Sequence, residues 1–291
     1  MVAMVVTFDK SSVWIMEWFI EHYRNYGLED FYLSLHVDPQ IDDKKQFVES
    51  VEETLSNIGC NLFSVYSAKY NAIDHRQHCN AVQEQVRQKH EWIVWADSDE
   101  LHEFGGPIHD VINRLEDQGR YTLGGHLIDR FSRDHILASP NKYLSPWRQF
   151  PLASPVTENV MSGWTCKITL AHADCKIRAG NHLAVEPNEV LCRLQPENFV
   201  VPVHHFKWHG AVVHKLEERI AEYREKDLGW WVESDRALSW LRSNDSIRPS
   251  GSNVFDYEDD INGEGPFSKN PKYNNGLPFA FQIPDGVFYA S

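Results

Sequence analysis

The sequence predicts an α/β fold built on a doubly wound, mostly parallel sheet. Short apolar runs alternate with amphipathic helical stretches through the first hundred residues, in a unit of about thirty residues. Three of those runs lead into acidic residues, at Asp9, Asp38 and Asp97/Asp99. Ligands on parallel sheets bind outside the carboxyl ends of the strands, so these acids mark one candidate rim.

Residues 2–8 are apolar and read as the first strand. Ser11 or Ser12 caps a helix with Val13, Met16, Ile20 and Tyr23 on one face, and Gly27 stops it. Residues 31–37 form the second strand. Asp42 or Asp43 opens a helix carrying Phe47, Val51, Leu55 and Ile58, closed by Gly59. Residues 61–66 form the third strand, Asp74 starts a helix with Cys79, Val82 and Val86 inward, and residues 92–96 form the fourth strand. Beyond residue 100 the regularity fades. A short helix is expected over 107–115, strands over 121–128, 167–173 and 200–208, and a helix over 211–226 with Val212, Leu216, Ile220 and Tyr223 in register. Four prolines make 139–157 a loop across the front of the sheet, and Pro, Gly, Asn and Ser make the tail from 244 irregular.

The chain has 291 residues, 42% hydrophobic, enough for one large domain with a real core. A formal charge of −14 argues against a nucleic-acid polymer or an anionic membrane surface as partner. No stretch approaches the ~18 apolar residues of a membrane span, and no basic, leader-like start is present. Five cysteines without CxxC spacing suggest reduced thiols, hence a soluble cytoplasmic protein, with one disulfide between the nearby Cys166 and Cys175 as the alternative. There is no GxGxxG and no Walker loop.

The most informative stretch is Trp92-Ile93-Val94-Trp95-Ala96-Asp97-Ser98-Asp99-Glu100. Its apolar run reads as a strand buried on both faces. Alternate residues on an extended chain point the same way, so Asp97 and Asp99 can both reach one ion. Two adjacent carboxylates at a strand end repel, and a divalent cation relieves that repulsion. Mg²⁺-like ions take one or two protein carboxylates and complete their shell with water and substrate phosphates. The expected chemistry is metal-assisted handling of a phosphate-bearing substrate.

Four segments in order carry a family likeness. They are Thr7-Phe8-Asp9-Lys10 with His22-Tyr23-Arg24-Asn25-Tyr26-Gly27, then the strand Leu33-Ser34-Leu35-His36-Val37-Asp38, then Asp97-Ser98-Asp99-Glu100, then Val203-His204-His205-Phe206-Lys207-Trp208. With them, residues 1–240 resemble the family-2-like glycosyltransferases of GT-A fold. The resemblance implies one domain over 1–243, with a nucleotide-binding half (1–104) and an acceptor half (105–243), and a tail over 244–291. It places Thr7, Phe8, Asp9 and Asp38 at the base or ribose of a nucleotide sugar. Arg76, early in its helix, is a candidate for phosphate, and Ser98 lies within the donor-binding turn. Asp97 and Asp99 would hold Mn²⁺ or Mg²⁺ against the diphosphate. His205 would be a distant third ligand, with His204 the alternative, since neighbours on a strand face opposite ways.

The implied reaction is metal-dependent transfer of a sugar from a nucleotide-diphosphate donor, UDP-sugar first, to a hydroxyl on a glycan or another acceptor. In an inverting enzyme a carboxylate takes the acceptor's proton. Asp129 is the preferred base, as it follows the 121–128 strand; Asp134 is the other candidate, and retaining chemistry would need neither. Two competing readings are a metal-dependent phosphohydrolase and a non-catalytic carbohydrate-binding protein of the same fold. Trp164, Trp208, Trp230 and Trp231 are candidate platforms for sugar rings, with core packing the favoured role for any single one of them.

Overall fold

A computed structural model describes residues 1–187 and 201–244, together with short strands at 191–193, 255–256 and 289–290. The chain alternates as expected at first. Strand β1 (Val2–Phe8) passes through a 3₁₀ turn (Lys10–Ile15) into α1 (Met16–Arg24), followed by β2 (Asp30–Val37), α2 (Lys44–Asn57), β3 (Leu62–Ser67), α3 (Ala72–Val86) and β4 (Trp92–Trp95). Then come β5 (Glu100–His102), α4 (Ile108–Asp117), β6 (Thr122–Phe131), α5 (Pro146–Gln149), β7 (Leu152–Ser154), α6 (Val156–Asn159), β8 (Cys166–His172), β9 (Lys176–Ile177), β10 (Leu183–Val185) and β11 (Leu191–Arg193). The remainder is β12 (Val201–His205), α7 (Val212–Glu225), α8 (Trp231–Asn244), β13 (Phe255–Asp256) and β14 (Tyr289–Ala290).

The main sheet runs β13-β7-β6-β8-β4-β1-β2-β3, with β12 beside β6 and β5 beside β12. Its first half, β4-β1-β2-β3, is parallel throughout. The second half is mixed. Strand β8 runs antiparallel between β4 and β6, so β6 points the same way as β4, and β12 pairs parallel to β6. The carboxyl ends of β1, β2, β4, β6 and β12 therefore share one rim. Strands β9, β10, β11 and β14 form a separate small sheet.

The winding on both faces follows from strand alternation. Val2, Met4, Val6 and Phe8 of β1 pack on one face with α1, α2 and α4, while Ala3 and Val5 pack on the other with Cys79, Val82 and Val86 of α3. Gly27 and Gly59 take positive φ (87° and 70°) just past α1 and α2, the stops the sequence marked.

Several local expectations shift. Asp9, not Ser11 or Ser12, caps the first helical turn, accepting from the Ser11 backbone N–H at 2.8 Å. Asn71 caps α3 by accepting from the Asp74 backbone at 2.8 Å. The expected 139–157 loop contains α5 and the whole of β7, which pairs antiparallel with β6. Strand β6 runs three residues beyond the expected end at 128, and all ten of its residues are buried. Helix α8 lies outside the sequence expectations; its buried stripe Ser234, Ala237, Leu238 and Leu241 begins on a serine. Of the tail, β13 pairs with β7 and β14 with β11; the rest of the irregular-tail expectation lies outside the described residues. Among the described residues no helix is long and apolar enough to cross a membrane.

Strand β12 approaches β6 closely at Gly125, where an added Cβ would lie 2.6 Å from the Val201 carbonyl oxygen. A backbone atom cannot step aside as a side chain does. Gly125→Ala is expected to destabilise the fold by about 2 kcal/mol, read as a lower urea midpoint with an unchanged slope. A wild-type midpoint in this variant would show that the two strands can part at no cost.

Acid should destabilise the protein through rings that fold neutral. Burial pushes the His22, His182 and His209 pKa values down to about 4 each. In the unfolded chain these rings take protons as pH falls through about 6.5, whereas the folded rings resist until about 4. Stability is thus full above pH 6.5, is lost between 6.5 and 4, and levels below that. With His22 and His182 only partly covered, about 2 kcal/mol per ring is the expected scale. Urea unfolding at pH 7.5 and 4.5 checks it; equal stability at the two values would refute neutral burial.

Candidate functional site

The shared rim opens into a cavity of about 2100 Å³, lined by the ends of β1, β2, β4 and β12 and by α3, α7 and the start of α8. Thr7, Asp9, Asp38, Arg76, Asp97, Ser98, Asp99 and His205 all line it. The acids scattered along the sequence are thus gathered by strand direction.

Asp97-Ser98-Asp99-Glu100 is a turn rather than extended chain. The Glu100 backbone N–H donates to the Asp97 carbonyl at 3.0 Å, and the Asp97 N–H donates to Glu100 Oε2 at 3.1 Å. Strand alternation therefore does not set the two carboxylates, and they take different partners. Asp97 Oδ2 accepts from Lys167 Nζ at 2.6 Å, and its Oδ1 accepts from Asn181 Nδ2 at 3.2 Å. Asp99 Oδ2 stands 3.8 Å from His205 Nε2. The Phe206 backbone N–H donates to the Asp99 carbonyl at 2.8 Å, tying the end of β12 to this turn. His205 thus faces the rim. His204 is fully buried on the other side, with Nε2 3.3 Å from Glu103 and its ring against Trp147.

Behind His205 stands Asp129. Its Oδ1 accepts from His205 Nδ1 at 3.0 Å, Thr157 Oγ1 at 2.9 Å and Trp208 Nε1 at 2.9 Å, and its Oδ2 accepts from the Thr157 backbone at 2.6 Å. Burial would raise its pKa, but these donors and the His205 charge hold it below the usual carboxylate value. The expectation that Asp129 faces the acceptor is not met. It lies inside β6, fully buried and absent from the cavity wall. Asp134, the other candidate, is exposed beyond β6 and accepts from the Ile136 backbone at 3.2 Å. A carboxylate accepts only, so His205 presents its Nδ1–H to Asp129 and directs Nε2 toward Asp99. Burial lowers the His205 pKa, but Asp99 and Asp129 outweigh it and the net shift is upward.

Lys167 Nζ also lies 2.8 Å from Glu100 Oε1. Burial penalises the ammonium, yet the Asp97 and Glu100 carboxylates hold its pKa above the usual lysine value. Glu100 is fully buried; burial would raise its pKa, but Lys167 and His102 keep it well below the usual range. Arg76, the fifth residue of α3, donates to Asn181 Oδ1 and lies 5.3 Å from the Trp95 ring. Arg76 is 7% exposed, so it is not presented openly to a phosphate.

On the β1–β2 side, Thr7 Oγ1 is 3.5 Å from Cys79 Sγ and Phe8 packs into the core. Asp9 Oδ2 is 3.1 Å from Lys215 of α7, and Asp38 caps its own turn by accepting from the Gln40 N–H at 2.7 Å. Ser98 is buried within the 97–100 turn. Sequence reasoning assigns no role to Lys167 or Glu100; a lysine inside the apolar strand Cys166–His172 is the available signal for the first. Among the described residues no group of three or more His, Cys, Asp or Glu side chains is assembled to hold a metal. Asp99 and His205 form a two-ligand pair, which suits an ion that draws its other ligands from water and substrate phosphate.

No protein-family model and no curated protein matches the chain. Among solved structures it is similar to a protein named as a nucleotide-diphospho-sugar transferase from Desulfovibrio desulfuricans G20, at 11% identity over 46% of this chain and 59% of that one, with a TM-score of 0.25. It is similar to the apo-form glycosyltransferase GlyE of Streptococcus pneumoniae TIGR4, at 13% identity over 44% of this chain and 29% of that one, TM-score 0.25. It is also similar to the galactosyltransferase LgtC in complex with donor and acceptor sugar analogs, at 12% identity over 45% and 46%, TM-score 0.23. The matches thus span at most 59% of those chains, and likeness this remote bears on neither activity nor substrate.

Proposed function

We propose that this chain is a GT-A-type glycosyltransferase that moves a sugar from a nucleotide-diphosphate donor, UDP-sugar first, to an acceptor hydroxyl, with Mn²⁺ or Mg²⁺ as cofactor. The observation that carries the reading is the Asp99–His205 pair at 3.8 Å, with Asp129 holding the far side of the imidazole at 3.0 Å. A carboxylate behind a metal-ligating histidine is the usual second layer of such sites. Asp99 and His205 would hold the cation, and the chemistry it supplies is neutralisation of the charge gathering on the departing nucleoside diphosphate.

The remaining roles follow from what each side chain touches. Thr7, Asp9 and Asp38 line the cavity beside the parallel half of the sheet and are assigned to the nucleoside. Asp97 is assigned to the donor side, oriented by Lys167 and Asn181 rather than by the ion. Arg76 acts through Asn181. Asp129 becomes a positioning residue: a buried, low-pKa carboxylate with every donor satisfied is a poor proton acceptor.

Thermal shift with Mn²⁺ and a panel of UDP, GDP, TDP and their sugars tests the reading. Ligand at a hundredfold its Kd adds about 2.7 kcal/mol, so a rise of about 5 °C that requires the metal is expected. Asp99→Asn should remove the rise and leave the unliganded Tm near wild type. Metal-independent stabilisation, or a response to phosphate monoesters alone, would defeat the proposal.

A further inference from the structure

We infer that Glu233 is the catalytic base for the acceptor hydroxyl, and that the acceptor is a sugar seated against the exposed indoles of Trp164 and Trp230. This rests on the transfer reaction proposed above and supplies the proton acceptor that Asp129 cannot be.

Glu233 lies in the first turn of α8 and lines the cavity from the acceptor half. Other carboxylates around the rim are engaged: Asp9 with Lys215, Asp97 and Glu100 with Lys167, Asp99 with His205. Glu233 has no ion pair within 4.0 Å and no hydrogen bond among the described residues. Its Oε2 is 3.5 Å from where a Cβ on Gly163 would stand, so the carboxylate lies against the segment after α6.

Trp164 and Trp230 line the same cavity and are 43% and 45% exposed. Trp164 meets His182 in a T-shaped ring contact at 5.8 Å, and Trp230 meets Tyr223 in one at 5.9 Å. Partly exposed indoles suit the C–H face of a sugar ring. Burial lifts the Glu233 pKa above the usual glutamate value, and the cations facing it do not cancel the effect. Those are Arg219 from α7, Lys207 after β12 and Arg236 on α8 itself. A raised carboxylate pKa brings a base closer to the operating pH.

In the step itself, the acceptor O–H proton passes to the Glu233 carboxylate while that oxygen bonds to the anomeric carbon. The bond from that carbon to the diphosphate oxygen breaks, and its electron pair leaves with the nucleoside diphosphate. Glu233 ends as a neutral acid and returns its proton to solvent. Single displacement of this kind inverts the anomeric centre.

The test follows nucleoside-diphosphate release by the full chain with Mn²⁺ and UDP-, GDP- or TDP-sugars. Water serves as the acceptor first, then glucose, galactose or N-acetylglucosamine. Glu233→Gln is expected to keep the Mn²⁺–nucleotide thermal shift, to lose roughly 100- to 10,000-fold in kcat, and to lose the acid limb of the pH–rate profile. Glu233→Asp should keep that limb at reduced kcat, and it decides the matter if the Gln variant does not fold. Trp164→Ala should raise KM for the sugar acceptor about fivefold. Turnover by Glu233→Gln within about threefold of wild type, acid limb intact, overturns the inference. So does a wild-type protein that binds Mn²⁺ and nucleotide yet turns over no donor. A wild-type protein that binds no nucleotide at all defeats instead the function on which the inference rests.

Discussion

Lys167→Met is expected to cost about 3–5 kcal/mol, because it strips the cation from a buried ion pair. Lys167 Nζ sits 2.6 Å from Asp97 and 2.8 Å from Glu100, and Glu100 is only 1% exposed. Asp97 reaches solvent and can rehydrate; Glu100 cannot. In the wild type the low pKa of Glu100 contributes stability above the unfolded glutamate value, which is lost as pH falls through the folded one. Without the ammonium, burial dominates and the folded Glu100 pKa rises above the unfolded value. The folded variant then binds the proton more readily, so its deficit is largest near pH 8 and shrinks toward pH 5. Urea unfolding at both values reads the sign directly. Adding Glu100→Gln should recover part of the loss, since the uncompensated charge is then gone. A pH-independent deficit below 1 kcal/mol would mean water already reaches Glu100.

Asp129→Asn is the second large effect, and it separates positioning from base catalysis. The carboxylate accepts from His205, from Trp208 and twice from Thr157. An amide keeps one accepting oxygen and turns an NH₂ toward donors, so at least one buried N–H or O–H is left facing another. A loss of about 3 kcal/mol is expected. The same change frees the His205 tautomer, and loss of such a partner typically weakens metal binding by about 10- to 100-fold. Mn²⁺ titration of the variant, followed by thermal shift with UDP, measures this. Were Asp129 itself the base, the Asn variant would hold metal as wild type does and fail only in turnover. That result would return it to the reacting centre.

The two variants expose where sequence reading succeeds and where it stops. Alternating apolar runs and helical spacings gave β1 through β4 and their helices nearly in place, because those signals are local and repeat with the backbone's own period. Strand alternation requires only that His204 and His205 face opposite ways and does not say which of them meets the rim. The expectation for Asp129 fails for a local reason as well. Its strand continues to Phe131, past the point where apolar residues give way to Asp129 and Arg130. Both polar residues are buried because β7 and β12 flank the strand there.

The sequence by itself determined that acids follow several strand ends of a βα series and that a histidine pair ends a late strand. Only the tertiary structure decided which groups share a partner. Lys167 is 70 residues from Asp97, Asn181 is 84 residues from it, and His205 is 76 residues from Asp129. The sheet order places β8 between β4 and β6, which brings Lys167 to Asp97 and leaves Asp99 to His205. Hydrophobic period reports which face a residue takes along its own element. It carries no information about which distant strand lies alongside, and the charge pairing at this rim depends on that neighbour.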